Sequence, residues 1–572
     1  LTAWERDRTL IMWHRSPTRC SLPLVWLSVA ILVLFGGVQV CATTATQGGT
    51  VFFDPGTAVY TFQGGVVDKE RGAAWGVWTD SLQQVGWSTL QVVGSSRVQD
   101  DVMAYAAGFL EGHFTARHMA AHWENLLHTL FPNQTDVPAP VLQFYRENDE
   151  WARQQVQQHS SSDPYWRQVG LVLQQYRGLL DGYNQAAQSQ NLQTFSLEQL
   201  ALLAAAGDIF DVATALQSAA ERPQFSKMNR EEILRYMMEH NHCSALIKVL
   251  PDLSDFYMGH TTWVFYTFMT RIFKHIYLPF QEPSTMAKQV SFSSYPGALA
   301  SIDDFYVTSA GLVVSETTNS ILNETLYDLV TPRGGLMTWL RTVVTNRMSS
   351  SGKEWTAIFA RENSGTYNCQ WMILDQKLFA PGQPLSENLL WILEQIPGYV
   401  ASGDETLTLN SGYWPSYNVP YFRTVFEKSG YPAMEKKHGS EFSYDNCPRA
   451  QIYRDRTHTV TNMESMRMFM RYNDWEVDPL SHMNPCNAVA SRCDLSVDPS
   501  QRSYMGGIDS KLTSFSLVPN QVIHAISGPT SVQQPVFAFT GEWASVFHKG
   551  VPERFDFDWQ LMAPSDTIME EE

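Results

Sequence analysis

Several familiar signatures of catalytic sites are missing from this sequence of 572 residues. It contains no G-x-S-x-G pentapeptide, which argues against an α/β-hydrolase lipase with a serine at its nucleophile elbow. It also contains no H-E-x-x-H zinc motif, no Walker A loop and no G-x-G-x-x-G loop. Basic residues are few, because 40 Lys and Arg stand against 58 Asp and Glu, for a formal net charge of −18. Phosphate binding needs clustered Lys and Arg, so nucleic acid is not expected as a partner.

Long apolar runs are also scarce, and only one stretch of the sequence is long enough to cross a membrane. It covers residues 22–40, follows Arg15 and Arg19, and ends in small residues up to Ala42. A basic flank, an apolar run and small residues at its end are typical of a secretory signal peptide, with a signal anchor as the alternative. We therefore predict a signal peptide over residues 1–42 and a lysosomal or secreted mature protein.

Two N-glycosylation sequons agree with that compartment. They are N-Q-T at Asn133 and N-E-T at Asn323. The acidic surface fits it as well, because carboxylates lose their charge in an acidic lumen.

Cysteine is sparse, with 7 in the whole sequence. Those beyond residue 42 are Cys243, Cys369, Cys447, Cys486 and Cys493. Their odd number leaves at least one thiol unpaired within the chain. Cys486 and Cys493 are predicted to form a disulfide, because they lie close together in a loop rich in Pro and Asn.

The hydrophobic pattern changes along the chain and predicts an α+β fold. Residues 50–99 are punctuated by Gly and rich in Val, Trp and Thr, which indicates strands and hairpins. Residues 101–220 carry apolar side chains at helical spacing. The polar stretch 221–241 is predicted to be an exposed linker, and strand patterns resume after Cys243. We expect large antiparallel sheets covered by helices.

Cys243 follows the polar run E-H-N-H and precedes an apolar one, and three interpretations of it are open. Cysteine is among the most buried residue types, so it could simply pack in the core. It could bind a metal with His240 and His242, although the separated ligand pairs of known zinc modules are missing. It could also be a nucleophile.

Two other groups of polar residues are interpreted as structural. His122, Glu124 and His128 do not share one helical face as residues four apart would, so they are predicted to be a solvated helix face. Asp303 and Asp304 are predicted to mark a turn or a strand end rather than a metal site.

The segment H-C-S-A-L-I-K-V-L, followed by G-H-T-T-W, resembles the phospholipase B-like family. Further motifs resemble that family in the same order, over roughly residues 50–559: AAGFLEG (106–112), VSFSSYPG (290–297), GLVVSETT (311–318), NSGTYNCQWMILD (363–375), LEQIPG (393–398), YWPSYNVP (413–420), PRAQIYRD (448–455), MRYNDWEVDPLS (470–481) and GGIDSKLTS (506–514). The family comprises lysosomal or secreted members of the N-terminal nucleophile hydrolase superfamily.

The resemblance implies a four-layer αββα fold with an N-terminal helical segment, and a chain cut just before Cys243. It divides the chain into the signal peptide, an N-terminal fragment over 43–242 that ends in a cleavable linker, and a catalytic fragment over 243–572. The fragments are expected to stay associated. The thiol would attack the carbonyl of His242, and hydrolysis would free an α-amine that serves as general base. This chemistry requires no cofactor and no metal.

The same resemblance assigns roles to other residues. His260 would assist cleavage or position the substrate, and Trp263 would form a wall of the pocket. Thr317 or Thr318 would be a threonine of the site. Asn418 would donate to the oxyanion, and Arg449 would orient Asn418 and the nucleophile. The sequence departs from the family at Cys369, where Asn is expected, and in the H-N-H triplet before Cys243.

The resemblance implies a hydrolase that deacylates lipids, or other acyl amides, through a Cys243 thioester. The substrate would be a lipid or an acyl amide, with transient contact to a membrane surface. One alternative is a weakly active or inactive lysosomal glycoprotein that binds lipid. A second alternative is a metal-binding protein.

Overall fold

The computed structural model describes residues 45–132, 134, 136–240 and 243–569. The strands in these residues are β1 (Ala45–Asp54), β2 (Val59–Gly64), β3 (Ala74–Asp80), β4 (Ser88–Gly94), β5 (Ser244–Val249), β6 (Phe256–Thr261), β7 (Trp263–Phe265), β8 (Ile272–Tyr277), β9 (Gln289–Ser294), β10 (Phe305–Thr308), β11 (Leu312–Thr318), β12 (Cys369–Asp375), β13 (Leu390–Ile396), β14 (Tyr399–Asp404), β15 (Tyr413–Ser416), β16 (Met505–Gly507), β17 (Asp509–Ser514), β18 (Ile523–Ser527) and β19 (Gln560–Met562).

The α-helices of the same residues are α1 (Leu82–Val85), α2 (Asp100–Phe114), α3 (Ala116–Leu130), α4 (Ala139–His159), α5 (Pro164–Gln190), α6 (Leu197–Ala204), α7 (Ile209–Leu216), α8 (Arg230–His240), α9 (Thr338–Met348), α10 (Gly352–Phe359), α11 (Thr406–Leu409), α12 (Arg423–Lys428), α13 (Tyr431–His438), α14 (Pro448–Arg456) and α15 (Met463–Met470). Most helices before Cys243 form one continuous series, α2 to α8, and the later ones alternate with strands.

The strands form two large sheets and one small one within the described residues. The eleven-stranded sheet has the order β14-β13-β12-β11-β10-β9-β8-β4-β3-β1-β2. The six-stranded sheet has the order β15-β5-β6-β17-β18-β19, and β16 pairs with β7 alone. Neighbouring strands are antiparallel except β4 and β8, which run parallel.

Three of the hydrophobic clusters formed by the described residues arrange these sheets and helices in layers. The first packs α2, with Leu110, against the eleven-stranded sheet. The second lies between the two sheets, where Ile247 of β5 and Val313 of β11 belong to one cluster. The third joins the six-stranded sheet to its covering helices, with Leu512 of β17 and Met466 of α15. The resulting order is helices, sheet, sheet, helices, and the described residues on both sides of Cys243 form one compact unit.

The outer helical layer is held by a very close approach of α2 and α5. A Cβ atom on Gly108 would lie 1.8 Å from the carbonyl oxygen of Gln175, and one on Gly178 would lie 2.0 Å from that of Tyr105. Only glycine fits at these crossing points, because any Cβ would overlap the backbone of the facing helix.

The α+β prediction is confirmed. Strands occupy most of 45–94, helices dominate 100–216, and strands resume at Ser244. The described residues do not contradict the four-layer fold that the family resemblance implies. The predicted disulfide between Cys486 and Cys493 is present, and Cys243 is unpaired.

Two structural interpretations are wrong. The stretch 221–241 is not simply an exposed linker, because it contains α8, with Ile233 and Met237 buried. His122 is not on a solvated face. It is fully buried, and its Nδ1 lies 2.9 Å from the hydroxyl of Thr270. The sequence pattern failed there because α3 is covered on more than one side, which periodicity along one helix does not reveal.

Some predictions fall outside the described residues. These are the signal peptide over 1–42, the sequon residue Asn133 and the cleavage-site residue His242. Asn323 is described and lies half-buried at the start of a short 3-10 helix. No described helix is by itself long and apolar enough to span a membrane, although the bent pair of α6 and α7 would pass on length and composition.

Candidate active site

Cys243 lies directly before β5, at one end of three neighbouring strands. The antiparallel register sets Ser244 opposite Thr261 at the end of β6, and Ala245 opposite Ser416 at the end of β15. The residues just beyond these strand ends therefore meet around Cys243. The site is built from strand ends that are far apart in the sequence, which is why one buried cysteine can be surrounded by so many polar groups.

The backbone of Cys243 has an unusual conformation. Its φ angle is +95°, in a region that residues with a Cβ rarely adopt. Such a conformation costs about 1–3 kcal/mol and persists only where the surrounding structure holds it. The side chain is fully buried, and its Sγ lies 3.8 Å from Oε1 of Glu316. Burial, followed by the nearby Glu316 charge, raises the pKa of the thiol well above its usual value.

Arg449 connects Cys243 to Asn418. It lies in the first turn of α14, and its Nη1 donates to the carbonyl oxygen of Cys243 at 2.8 Å. Its Nη2 donates to Oδ1 of Asn418 at 2.6 Å. Asn418 adopts a φ of +70°, a left-handed conformation that Asn tolerates better than most residues. Its Nδ2 donates to the carbonyl oxygen of Thr318 at 2.6 Å.

Trp263 forms a wall beside this arginine. The Arg449 guanidinium carbon lies 4.2 Å from the centre of the Trp263 ring, within the range of a cation–π contact. The indole nitrogen of Trp263 donates to the carbonyl oxygen of Val489 at 3.1 Å. The ring is therefore held by a hydrogen bond at its edge and lies in contact with the guanidinium.

His260 and Glu316 approach Cys243 from two different strands. One ligand-capable atom from each of the three residues lies within 4.8 Å of the other two, and all three side chains are buried. Burial, and then the charge of Lys511, lower the pKa of His260 well below its usual value, so its ring is neutral. Burial raises the pKa of Glu316 to about 8. The hydroxyl of Tyr367 donates to Oε1 of Glu316 at 3.0 Å.

The two candidate threonines lie at the end of β11, next to Glu316. The hydroxyl of Thr317 is 2.6 Å from that of Ser416. Thr318 contributes its carbonyl oxygen to Asn418, and its own hydroxyl has no hydrogen-bond partner in the described part of the chain. Thr318 is therefore the threonine whose side chain is available, whereas Thr317 ties two strands together.

A cavity of about 100 Å³ opens beside the site. Its walls include Trp263, Asn418 and Arg449, but also side chains of α8, the helix that ends three residues before Cys243. The α8 residues that line it are Leu234, Arg235, Met237 and Met238. Arg230 of α8 also forms an ion pair with Glu441, another lining residue. The helix thus forms part of the cavity wall.

A network of buried ions lies behind the site. Arg271 pairs with Asp303 and, at 2.8 Å, with Asp509. Lys511 pairs with the same two carboxylates at 3.0 and 2.9 Å. The sequence prediction that Asp303 marks a strand end is correct in position, because β10 begins two residues later, but it missed the buried charge network.

Of the candidate residues predicted from the sequence, the structure places these near one another: Cys243, His260, Asn418, Arg449, Trp263 and Thr318. It adds Glu316 and Tyr367, which the sequence did not predict. A signal for Glu316 was present. It is the single charged residue of the strand L-V-V-S-E-T-T, and an isolated carboxylate in a fully buried strand needs a specific reason.

The structure changes the set of candidate metal ligands that the sequence suggested. His240 lies on α8, where its ring stacks on Tyr236 with centroids 3.9 Å apart and its Nδ1 is 2.8 Å from the Tyr236 carbonyl oxygen. Among the described residues, the group with ligand spacing is Cys243, His260 and Glu316, without His240.

Comparisons with known proteins agree on one family. A family model described as Phospholipase B matches residues 74–562. Phospholipase B of Crotalus adamanteus is 39% identical over 504 residues, which cover 87% of this chain and 90% of the relative. Phospholipase B-like 1 of Bos taurus is 38% identical over 558 residues, or 96% of this chain and 99% of the relative. Phospholipase B-like protein D of Dictyostelium discoideum is 39% identical over 503 residues, covering 86% and 87%.

Proposed function

The chain belongs to the phospholipase B family, and on that premise we propose that it is a hydrolase that deacylates lipids with Cys243 as its nucleophile. The family name makes an ester of a lipid the first substrate class. The observation that carries the assignment is the left-handed, fully buried Cys243 at the start of β5, with Arg449 fixing its carbonyl oxygen.

The proposed maturation begins with the bond between His242 and Cys243. The Cys243 Sγ attacks the carbonyl carbon of His242, a sulfur–carbon bond forms, and the carbon–nitrogen bond breaks. The thiol proton moves to the departing nitrogen through the neutral ring of His260. Water then hydrolyses the thioester, which leaves a carboxylate on His242 and an α-amine on Cys243. Strain stored in the backbone at Cys243 favours this step.

The proposed mature enzyme uses the new α-amine as general base. Its ordinary pKa of about 7.7–8.0 is low enough to take the thiol proton without a separate histidine. The thiolate attacks the acyl carbon of the substrate, and the alcohol leaves with a proton from the amine. Asn418 Nδ2, held by Arg449 through Oδ1, is aimed at the developing oxyanion once it releases the Thr318 carbonyl. Water then releases the fatty acid and restores the thiol.

Access for a lipid requires the upstream segment to move. The side chains of α8 line the cavity next to Trp263 and Arg449, and about 100 Å³ is too small for a lipid headgroup with its acyl chain. Cleavage before Cys243 frees the end of this segment, so α8 can leave while the two fragments remain packed together. The mature protein is proposed to be lysosomal or secreted and to touch membrane surfaces only transiently.

Acyl amides are a second substrate class for the same chemistry, because thioester formation from an amide differs only in the leaving group. A lipid-binding glycoprotein without turnover is the competing function. The Cys243 side chain is completely buried in the uncut chain, where no substrate reaches it. A chain that stays uncut would therefore favour the function without turnover.

The test is N-terminal sequencing of the purified protein at acidic pH, with Cys243→Ser and Cys243→Ala variants beside it. We expect a fragment that begins at Cys243 in the wild type, slow cleavage in the Ser variant and none in the Ala variant. Cys447→Ser is the matched control, since Cys447 is also a buried, unpaired thiol. Equal cleavage of the Ala variant would rule out Cys243 as the autocatalytic nucleophile.

The cut protein is then assayed with a phospholipid and with an N-acyl amide that carries the same acyl chain. Release of fatty acid from the phospholipid supports the esterase, and preferential release from the amide supports the second substrate class. Binding of the lipid without release of acid from either compound would leave the non-enzymatic glycoprotein as the function.

A further inference from the structure

The cluster of Cys243, His260 and Glu316 has the composition of a metal site. The three residues come from the start of β5, from β6 and from β11, so they are fixed by both large sheets. One sulfur, one ring nitrogen and one carboxylate oxygen lie within 4.8 Å of one another, and the three side chains are fully buried. This juxtaposition is made by the tertiary fold and by no sequence motif.

Several polar atoms of this cluster lack a well-formed hydrogen bond in the described part of the chain. They are both ring nitrogens of His260, although the ring lies near the Glu316 backbone, and Oε2 of Glu316. Buried polar side chains are hydrogen-bonded in the large majority of cases, so unpaired atoms on two neighbouring side chains call for a ligand or a chemical role. A bound cation would satisfy a nitrogen and an oxygen at once.

The ion pairs around the cluster also favour a bound cation. Behind it, Arg271 and Lys511 are matched by Asp303 and Asp509. The neighbouring buried carboxylates, those of Asp304 and Glu316, make no ion pair with a basic residue among 45–132, 134, 136–240 and 243–569. Glu316 therefore keeps a carboxylate oxygen without a basic partner among the described residues, and a bound divalent cation would supply one.

We propose that Cys243, His260 and Glu316 bind a zinc ion. Thiolate, imidazole and carboxylate are the side chains that zinc uses, whereas calcium and magnesium take oxygen ligands. Zinc bonds of about 2.0–2.3 Å put the ligand atoms of a tetrahedral site less than about 4 Å apart, so small side-chain rotations close the observed spacing. The thiol releases its proton to solvent on binding, and the fourth position takes water.

Zinc at this site controls the nucleophile. The sulfur lone pair that would attack a carbonyl is donated to the metal, so the bound ion holds Cys243 inactive until it is removed. This consequence rests on the proposed function, whereas the binding itself does not. The three side chains are present in the whole and in the cut chain, so zinc acts on maturation and on turnover alike.

The binding test uses the purified full chain, dialysed against Co²⁺ or Zn²⁺ and then against metal-free buffer. We expect about one metal ion per chain and, with Co²⁺, the absorption band of a thiolate bound to cobalt. Cys243→Ser should abolish the band and the retained metal. Glu316→Gln, which keeps the shape, should weaken binding by about tenfold or more. Cys447→Ser, the control, should keep both the band and the metal.

Wild-type protein without a thiolate–cobalt band, or a Cys243→Ser variant that retains as much metal as wild type, would overturn the proposal. If circular dichroism shows that Cys243→Ser does not fold, the cobalt spectrum of the wild type and the metal affinity of Glu316→Gln still test the proposal. A second experiment follows cleavage before Cys243 with and without Zn²⁺, and then with a chelator. Slow cleavage that the chelator restores is expected. Metal binding in a chain that is never cut would refute the proposed maturation and leave the zinc site standing.

Discussion

Two neighbouring buried polar clusters in this protein differ in how their charges are paired. In the ion network of Arg271, Asp303, Asp509 and Lys511, every charged side chain has an opposite charge within 3.0 Å. In the cluster around Cys243, buried nitrogen and oxygen atoms of His260, Glu316 and Thr318 have no hydrogen-bond partner among the described residues.

The difference separates structural from chemical roles. Charges that are paired in the interior fix the relative position of the strands that carry them, and they are chemically quiet. Polar atoms that stay unpaired, next to a backbone with positive φ at Cys243, are costly to keep and are typical of sites that bind or react.

Removing a charge from the ion network should destabilise the fold strongly. Lys511→Met keeps the length of the side chain but leaves Asp303 and Asp509 short of one cation. We expect the free energy of unfolding to fall by about 3–5 kcal/mol, measured by urea denaturation, because a buried charge is left uncompensated. The control Lys549→Met removes a half-exposed lysine that pairs with Glu124 at 2.6 Å, and should cost less than about 1 kcal/mol. Equal effects of the two substitutions would contradict the contrast.

Changing a donor in the site should reduce the rate more than the stability. Asn418→Asp keeps the shape and an oxygen for Arg449 but removes the Nδ2 donor. We expect kcat to fall by about 10²–10³-fold. The free energy of unfolding should fall by about 1–3 kcal/mol, because the new oxygen faces the Thr318 carbonyl oxygen. The control is Asn388→Asp, since Asn388 is exposed and has a similar φ of +69°. A rise in KM at constant kcat would show that Asn418 binds the substrate without stabilising the oxyanion.

Two buried carboxyl groups elsewhere in the core, which form no ion pair within the described part of the chain, should make the protein more stable at acidic than at neutral pH. Burial raises the pKa of Asp211 and of Glu394 to about 7. Between their ordinary pKa values, near 4, and pH 7, the folded chain holds protons that the unfolded chain has lost. The free energy of unfolding therefore falls as pH rises across this window, on the order of 3 kcal/mol for each group.

Urea denaturation at pH 4.5, 5.5, 6.5 and 7.5 measures this slope. Asp211→Asn and Glu394→Gln should each flatten it, because neither replacement titrates. Asp303 is the opposite case. Burial alone would raise its pKa, but the charges of Arg271 and Lys511 lower it below its usual value. Its contribution to the free energy of unfolding is therefore lost only in strong acid. A protein whose stability rises from pH 4.5 to 7.5 would show that paired carboxylates dominate.

The smallest effect on stability is expected at His260. His260→Leu fills a similar volume and removes two buried nitrogen atoms without partners, so the loss of polar interactions is small. We expect the free energy of unfolding to change by less than about 1 kcal/mol, while cleavage before Cys243 is lost. His275→Leu is the comparison, because His275 is also buried but its Nδ1 lies 2.7 Å from the Ser291 hydroxyl. A larger loss at His260 than at His275 would mean that His260 has a structural role.

The sequence by itself determined most of the strand and helix segments, apart from α8, and also that Cys486 pairs with Cys493 and which family the chain resembles. These features are local, since the alternation of apolar residues, the spacing of two cysteines and the order of short motifs are all contained in consecutive residues. The candidate site residues Cys243, His260, Asn418 and Arg449 followed from the family motifs. Strand ends and the first turn of α14 bring them together.

Only the tertiary structure decided the surroundings of these residues. Glu316 reaches Cys243 because β11 and β5 belong to two sheets that pack face to face, and His122 is buried because a second layer covers α3. The pairing of Arg271 with Asp509, 238 residues away, has no signature in sequence spacing. Burial and pairing are properties of contacts between distant segments, so a pattern read along one segment cannot contain them. The polar stretch 221–241 was misjudged for the same reason, since Ile233 and Met237 of α8 are buried by packing in the hydrophobic cluster that covers the six-stranded sheet.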